Sequence, residues 1–339
     1  MPADLAVEIA GLRLKNPVVA GSGEATMSRE GILEALEAGP GAVVAKSFNE
    51  SGAARAQLER AEYVLLDQDW RELPWGPAPA GATLFCRSGL VAAPPEQWIE
   101  TVAACDRLAA RRDAYVVASL IVADPAESVR LAGLVEAAGI RWLELNVGAP
   151  HAGEAAPGTI RAESDAEAVA ALVRPVREAV SIPITVKLGS EGDPMAAAAA
   201  ARSAGADAVC LAGRHLGFLP DPATRRPVLG TFGAIGGRWA LPLTLRWVAK
   251  ARAALGPAFP LLGTNGARDG LDVVRFLLAG ATAVELTTVV VTDGPGALRR
   301  TVHELERHLS EQGVGARDII GEAADAVLTY QEVGGETGA

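Results

Sequence analysis

Several residue types that would indicate other classes of protein are scarce in this sequence. Three of its 339 residues are cysteines, Cys86, Cys105 and Cys210, and none of them forms a CxxC pair. Three cysteines are too few for a four-cysteine iron–sulfur or zinc site, and their wide spacing is typical of a reducing compartment. No apolar run reaches about 18 residues, and no basic segment precedes an apolar one at the N-terminus. We therefore expect a cytoplasmic protein that has neither a membrane span nor a metal site.

Positive charge is also scarce. The chain has 31 Lys and Arg against 41 Asp and Glu, a formal net charge of −10, and no block rich in basic residues. This balance argues against nucleic acid or an anionic membrane as the main partner. Because 50% of the residues are hydrophobic, the chain has enough apolar side chains for a large core. A small molecule is the expected ligand.

Short apolar runs alternate with helical patterns along most of the chain. We predict strands at 17–21, 42–46, 115–121, 142–146, 184–187, 208–212, 261–264 and 283–286, and helices at 28–38, 97–112, 125–138, 164–180, 194–204, 239–255, 270–279 and 297–312. Strands that are apolar throughout and alternate with helices are typical of an α/β fold, here a (β/α)8 TIM barrel. An open doubly wound sheet is disfavoured, because Thr26 stands where a GxGxxG turn needs its third glycine.

Two long connections interrupt this alternation, at 48–96 and 213–238, and we predict an extra strand at 82–86 in the first. Long loops in a compact domain are often functional covers, so we expect both to form walls over the C-terminal mouth of the barrel; solvent-exposed excursions are the alternative. We predict a single (β/α)8 barrel domain over 1–315, followed by a C-terminal extension over 316–339 whose last residues are disordered.

Lysine is rare, and two of the four lysines end predicted strands. Lys46 and Lys187 each close an apolar run, where an ammonium loses hydration unless it meets an anion or an electron-rich ligand. A lysine that extends into solvent is the alternative for either residue alone. Other strand ends carry polar or glycine-rich segments, among them Ser119, Asn146 and Gly213-Arg214-His215. Since barrel enzymes build their active sites at the C-terminal strand ends, we expect the chemistry there.

Short motifs occur across 5–315 in a specific order. They are Leu14-Lys-Asn-Pro17, Ala20-Gly-Ser-Gly23, Val44-Ala-Lys46-Ser47, Leu145-Asn-Val-Gly-Ala-Pro-His151, Val186-Lys187-Leu188, Gly233-Ala-Ile-Gly-Gly237, Leu262-Gly-Thr-Asn-Gly266, Ala279-Gly-Ala281 and Gly294-Pro295. Each motif is weak alone. In this order and spacing, the set resembles the flavin-containing dihydroorotate dehydrogenases and the flavin domain of dihydropyrimidine dehydrogenase.

The resemblance implies an FMN across the barrel mouth, with Lys187 at the N1/O2 edge of the isoalloxazine and Lys46 and Asn146 bordering flavin and substrate. A fixed cation near N1 stabilises the negative charge of reduced flavin. The residues expected to bind the cofactor are Ala20, Gly21, Lys46, Ser47, Asn146, Lys187, Gly213, Gly236, Gly237, Gly263, Thr264, Asn265, Gly266, Thr287 and Thr288. Main-chain amides of Gly236, Gly237, Gly266, Thr287 and Thr288 would hold the phosphate. Ordinary turn chemistry is the alternative explanation for the glycines.

The chain departs from the family at its catalytic and recognition positions. Ala149 stands where the family usually has a cysteine or serine that removes a proton from substrate. Cys86 replaces an asparagine of the orotate site, and Ala212-Gly213 replaces an Asn-Ser pair. Since each lost hydrogen-bond partner costs about 1–3 kcal/mol, dihydroorotate is not the expected substrate.

Histidines near the predicted mouth are the candidates for a replacement acid/base. We rank His151 first and His215 second, because both follow strand ends and histidine titrates near neutral pH. Hydrogen bonding to substrate or backbone alone is the alternative for both. Together with Lys46 and Asn146 they form the predicted catalytic set.

Three functional hypotheses follow from the sequence. The first is an FMN-dependent oxidoreductase that exchanges hydride at flavin N5 with a small molecule other than dihydroorotate. The second is a flavin-holding accessory protein without redox activity. The third is a flavin-free lyase or isomerase barrel that binds a phosphate ligand and uses the strand-end lysines. From the resemblance we also expect a homodimer and a separate electron acceptor or donor, which the sequence does not identify.

Overall fold

Eight parallel strands close into a barrel at the centre of the structure, a computed structural model that describes residues 2–58, 61–121, 124–148 and 165–333. The strands are β1 (Val7–Ile9), β2 (Leu12–Leu14), β3 (Val18–Ala20), β4 (Ala42–Val44), β5 (Glu62–Leu66), β6 (Glu72–Leu73), β7 (Thr83–Arg87), β8 (Tyr115–Leu120), β9 (Leu143–Asn146), β10 (Ile184–Lys187), β11 (Ala208–Leu211), β12 (His215–Gly217), β13 (Pro220–Asp221), β14 (Arg226–Pro227), β15 (Gly233–Gly237), β16 (Leu261–Thr264) and β17 (Ala283–Leu286). The barrel closes in the order β10-β11-β16-β17-β3-β4-β8-β9. The eight predicted barrel strands are confirmed within their predicted ranges, and the extra strand predicted at 82–86 is observed as β7, which extends to Arg87.

Helices surround the barrel. They are α1 (Arg29–Glu37), α2 (Gly52–Leu58), α3 (Pro95–Ala110), α4 (Pro125–Ala137), α5 (Ala166–Ala179), α6 (Pro194–Ser203), α7 (Leu241–Leu255), α8 (Gly270–Leu278), α9 (Thr288–Asp293), α10 (Gly296–Gln312), α11 (Glu322–Asp325) and α12 (Tyr330–Val333). Asp124 and Asp193 begin α4 and α6 by accepting hydrogen bonds from main-chain amides of the first turn, and the proline there has no N–H that would need an acceptor. The predicted (β/α)8 TIM barrel is therefore confirmed.

The barrel strands form because their residues are apolar on both faces. Val18, Val19 and Ala20 of β3 are fully buried, and so are all four residues of β11. One face of such a strand packs inside the barrel and the other packs under the surrounding helices. The charged residues of these strands, Glu144, Lys187 and Glu285, are therefore exceptional, and both glutamates lie beside Lys187 inside the barrel mouth.

The two long connections form one antiparallel sheet in the order β12-β15-β7-β5-β6. Strand β15 of the second connection pairs with β7 of the first, so that Ala234 lies opposite Cys86. Phe85 packs with Leu229 on one face of this sheet, and Leu84 packs with Ala234 on the other. Residues that follow β7 line the cavity at the barrel mouth, as expected for a wall over the mouth. The sequence predicted β7 but not the pairing of the two connections.

Segments near both ends of the described chain pack on the barrel. In the antiparallel hairpin of β1 and β2, Ile9 and Leu14 belong to the main hydrophobic core. Beyond 315, Ala316 and Ile319 are buried in the same core, and Asp325 pairs with Arg252 at 2.7 Å. The disorder predicted for the last residues concerns 334–339, which lie outside the described residues. Within the described ranges, no helix has both the length and the apolar character needed to cross a bilayer.

Candidate active site

A cavity opens at the C-terminal ends of the barrel strands, with about 1000 Å³ of space outside the protein atoms, part of which is open to solvent. Many of the residues predicted to bind a cofactor border it. They are Lys46, Ser47, Asn146, Lys187, Gly213, Thr264, Asn265, Gly266, Thr287 and Thr288. The two strand-end lysines therefore point toward one common cavity, as the sequence predicted.

The other predicted cofactor residues are not among those that border this cavity. Gly237 borders a smaller adjoining pocket of about 290 Å³, together with Gly266 and Thr288. Ala20 is buried within β3, and a Cβ on Gly263 would lie 2.2 Å from Phe276 Cδ1. Gly263 is thus explained by packing alone.

Two further glycines allow close approaches of neighbouring groups. A Cβ on Gly21 would lie 2.2 Å from Thr287 Oγ1, and one on Gly236 would lie 2.8 Å from Asn265 Oδ1. Both glycines keep the surrounding side chains close together at the mouth. The structure thus gives them a packing role, whereas the sequence suggested contact with the cofactor.

Lys187 lies among carboxylates inside the barrel. Its Nζ contacts Glu285 of β17 and lies 3.8 Å from Oε2 of Glu144 on β9. Cys210 Sγ lies 3.5 Å from Glu285 Oε1. Alternate residues of a strand point into the barrel, which is why side chains from β9, β10, β11 and β17 meet there. Neither glutamate was predicted, although a charged residue within an apolar strand was a usable signal.

The charge state of this cluster follows from its burial. Burial raises the pKa of Glu144 to about 8, the Glu285 carboxylate adds to the rise, and the Lys187 ammonium opposes it. Burial alone would lower the pKa of Lys187, but the two glutamates raise it. The protonated form of Glu144 is therefore favoured beside the ion pair of Lys187 and Glu285.

A chain of hydroxyl groups connects the cavity with Glu144. Ser22 Oγ lies 3.3 Å from Ser47 Oγ, and Ser47 Oγ lies 2.8 Å from Ser119 Oγ. Ser119 Oγ in turn donates to Glu144 Oε1 at 2.7 Å. Ser22 and Ser47 border the cavity, so a chain of hydrogen bonds connects the buried carboxyl group of Glu144 with the cavity surface.

Lys46 has an internal partner as well. Its buried Nζ lies 2.7 Å from Glu24 Oε1, and the Tyr63 hydroxyl donates to the same oxygen. Burial alone would raise the pKa of Glu24, but the Lys46 ammonium and the Arg214 guanidinium lower it to about 2. The sequence argument that a buried lysine needs an anion is therefore correct, but here the protein supplies that anion for both lysines.

Arg214 borders the cavity from the loop between β11 and β12. Its Nη1 contacts Cys86 Sγ, and its Nη2 lies 3.5 Å from Ser88 Oγ. Burial raises the pKa of the Cys86 thiol, which therefore stays neutral beside the guanidinium. Arg214 follows a predicted strand end but was not predicted as a site residue.

The two candidate histidines differ in what the structure says of them. His151 and Ala149 lie outside the described residues, so their predicted roles stay predictions. His215 stacks on Trp239 with ring centroids 5.8 Å apart and is not among the residues that border the cavity. Burial lowers its pKa, although Glu191 opposes this effect. His215 is therefore poorly placed for an acid/base role.

The residues at the mouth fit an FMN. The cavity offers the Lys187 ammonium and the Asn146 amide, which suit the polar edge of a flavin ring. The adjoining pocket is bordered by the backbone of Gly237 and Gly266 and by Arg238 and Arg268, a donor set that suits a phosphate group. A Cβ on Gly266 would lie 2.6 Å from Leu241 Cα, so this close backbone approach requires glycine.

Comparison with known proteins agrees with this geometry. The dihydroorotate dehydrogenase family profile matches residues 100–309. The catalytic subunit of dihydroorotate dehydrogenase B (NAD(+)) from Desulforudis audaxviator is 34% identical over 324 residues, covering 94% of this chain and 96% of that protein. The corresponding subunit from Geobacter metallireducens is 29% identical, covering 94% and 97%. A putative dihydroorotate dehydrogenase A (fumarate) from Aeropyrum pernix is 32% identical, covering 61% and 67%. The chain thus belongs to the dihydroorotate dehydrogenase family of FMN-binding, flavin-dependent oxidoreductases.

Proposed function

We propose that this protein is an FMN-dependent oxidoreductase whose substrate is a small molecule other than dihydroorotate. The observation that carries the proposal is the set of side chains around Arg214 at the mouth. Where the family has amide and hydroxyl groups for orotate, this chain has the buried Cys86, the buried Ala212 and Gly213. A ring with several polar atoms would leave them unpaired there, at about 1–3 kcal/mol each.

FMN, when bound, exchanges hydride with the substrate at its N5 atom. Lys46 and Asn146 border the cavity and would orient the substrate by donating hydrogen bonds. Lys187 would face the N1/O2 edge of the flavin with its charge largely offset by Glu285. His151 is the proposed acid/base, and the stacked His215 is the weaker candidate.

The geometry argues against a lyase or isomerase that uses the lysines as nucleophiles. A Schiff base requires a neutral amine, and so a lowered lysine pKa. Instead, the two glutamates beside Lys187 raise its pKa despite burial, and Lys46 is paired with Glu24. No observation favours a flavin-holding protein without redox activity. A homodimer, a cytoplasmic location and a separate electron partner stay predictions.

The test uses the purified native protein. Mass analysis of the small molecule released on denaturation should identify FMN. With artificial electron acceptors, the protein should not oxidise dihydroorotate, while a panel of small ring, amide and carboxylate compounds should include a substrate. Dihydroorotate turnover above about 1 s⁻¹, typical of enzymes on their own substrates, would refute the proposed substrate choice.

The acid/base assignment has its own test with the compound that is turned over. His151→Ala should lower kcat by about 10²- to 10⁴-fold while FMN remains bound. His215→Ala, the matched control, should have a much smaller effect because its ring stacks on Trp239. Normal turnover by His151→Ala would show that the assignment is wrong.

A further inference from the structure

Arg214 is held in a fixed position at the cavity wall. Its side chain runs alongside Gly236, where a Cβ would lie 3.0 Å from Arg214 Cγ. The guanidinium reaches the end of β7, where it contacts Cys86 Sγ and approaches Ser88 Oγ. Glycine at 236 thus makes room for an arginine that points along the cavity wall and not into bulk solvent.

Among the described residues, the cavity lysines have carboxylate partners and Arg214 has none. Lys46 pairs with Glu24, and Lys187 pairs with Glu285. Among the described residues, no carboxylate forms an ion pair with Arg214, and its closest polar neighbours are a neutral thiol and a hydroxyl group.

An enclosed guanidinium without a counter-ion is unfavourable unless a ligand provides the anion. Burial alone would lower the pKa of Arg214, but Cys86 and Glu24 raise it, so the group stays charged. Arginine is also the side chain whose planar fork matches a carboxylate in a two-point hydrogen bond. The unpaired charge therefore has the chemistry of a binding subsite.

We propose that Arg214 binds the carboxylate of a monoanionic substrate, an inference that rests on the proposed function. One unpaired positive charge matches one negative charge, and the ionised Glu24 near the guanidinium disfavours a dianion such as a phosphate ester. Phosphate chemistry has its own donors in the adjoining pocket around Gly237 and Gly266. Asn146 also borders the cavity and offers a neutral amide to the rest of the substrate.

The experiment titrates the FMN-loaded protein with matched pairs of probes. Acetate and acetamide, crotonate and crotonamide, and benzoate and benzamide differ within each pair mainly in charge. Binding is measured from the change in flavin absorbance and by calorimetry. In at least one pair, the carboxylate should bind the wild-type protein at least about tenfold more tightly than its amide, equivalent to about 1.4 kcal/mol.

Variants then assign the preference to the side chain. Arg214→Met should remove the preference for the carboxylate, and Arg214→Lys should keep part of it, because it retains charge without the fork. Arg226→Met, at an exposed arginine of β14, is the control and should behave as the wild type. If Arg214→Met does not retain FMN, Arg214→Gln takes its place.

Three results would overturn the inference. They are equal affinity of carboxylate and amide in every pair, no binding of any carboxylate up to tens of millimolar, and a carboxylate preference that survives the loss of Arg214. These results leave the proposed function intact as long as FMN is bound and dihydroorotate is not oxidised. Conversely, dihydroorotate oxidation together with an Arg214-dependent carboxylate preference would refute only the substrate choice.

Discussion

The ammonium of Lys187 contacts the carboxylate of Glu285 across the barrel mouth, from β10 to β17. Glu144 lies on the other side of the ammonium at 3.8 Å. A lone lysine would offer a full positive charge to a flavin at this place, whereas this pair offers much less. Glu285 therefore determines how strongly Lys187 can stabilise negative charge on a bound flavin.

Replacing these glutamates should raise the two-electron potential of the bound flavin. Glu285→Gln removes one negative charge, but it also removes a cause of the raised pKa of Glu144. Glu144 can then ionise and pair with Lys187 in place of Glu285. The double variant Glu144→Gln/Glu285→Gln leaves the Lys187 ammonium without a carboxylate partner. The two-electron potential of its bound flavin should therefore rise further, by about 30 mV or more, equivalent to about 1.4 kcal/mol.

The potential is measured by dye-coupled reductive titration of the FMN-loaded protein. Cys210→Ala is the matched control, because it removes a neighbour of Glu285 without changing a charge. Lys187→Met should shift the potential in the opposite direction or weaken FMN retention. A double variant with the wild-type potential would contradict the role of the glutamates.

Glu144 should make the protein less stable as pH rises. Its pKa is raised from about 4.5 to about 8, so between these values the folded protein holds a proton that the unfolded chain releases. The free energy of unfolding then falls with pH in this window, by at most about 1.4 kcal/mol per pH unit. Glu144→Gln removes this dependence.

Urea unfolding at several pH values measures the effect. The stability of Glu144→Gln relative to wild type should rise between about pH 4.5 and pH 8 and level off above that. Glu34→Gln, at an exposed position of α1, should show no such trend. A constant difference between Glu144→Gln and wild type across the window would contradict the raised pKa.

Glu24 should have the opposite pH dependence. Its pKa is lowered from about 4.5 to about 2, so its contribution is fully present above pH 4.5 and is lost as pH falls toward 2. Glu24→Gln leaves the Lys46 ammonium without its carboxylate, and we expect a loss of about 1–3 kcal/mol near neutral pH.

A double-mutant cycle with Lys46→Met isolates this pair. Because Glu24→Gln/Lys46→Met removes both charges, it should be less destabilised than the sum of the single variants. Denaturant unfolding near neutral pH gives the change in the free energy of unfolding for the two single variants and the double variant relative to wild type. Strict additivity would show that the pair contributes no coupling.

Gly21→Ala should destabilise the mouth of the barrel. The added Cβ would lie 2.2 Å from Thr287 Oγ1 and 3.1 Å from Glu285 Oε2, so the ends of β3 and β17 would have to separate. We expect a loss of about 1–3 kcal/mol in the free energy of unfolding. Thr287→Ala in the same chain should recover part of it, and wild-type stability of Gly21→Ala alone would contradict this packing role.

Most of the fold could be predicted because the barrel strands are coded locally. Continuous apolar runs and the helices between them determine all eight barrel strands, and runs such as 184–187 match the observed strand residue for residue. The pairing of β7 with β15 could not be predicted, because it joins segments about 150 residues apart that carry no mutual signal. A strand pattern identifies which residues are extended but not which strand they pair with.

The sequence predicts those site residues that local strand patterns reveal, but not the partners that the fold brings to them. Lys46 and Lys187 were visible as polar ends of apolar runs. Their partners Glu24 and Glu285 lie 22 and 98 residues away, so only the closed barrel brings them together. Arg214 follows a predicted strand end, but its missing partner is a property of the folded cavity.

Ala149→Cys should not create a dihydroorotate dehydrogenase. Position 149, which lies outside the described residues, is where the family resemblance predicts the base, and the substitution would supply one there. Turnover also requires substrate recognition, and Cys86 still stands in place of an asparagine while Arg214 occupies the same wall. We therefore expect dihydroorotate oxidation by the single variant to remain at the wild-type background.

A double variant that also adds an amide donor tests substrate recognition and the base together. Ala149→Cys combined with Cys86→Asn supplies both a base and one recognition group, so measurable oxidation of dihydroorotate should appear first in this double variant. Cys86→Asn alone is the control for recognition without a base. Steady-state assays with an artificial electron acceptor compare the variants. Dihydroorotate oxidation by Ala149→Cys alone would show that the missing base was the only barrier, because recognition would then already be sufficient.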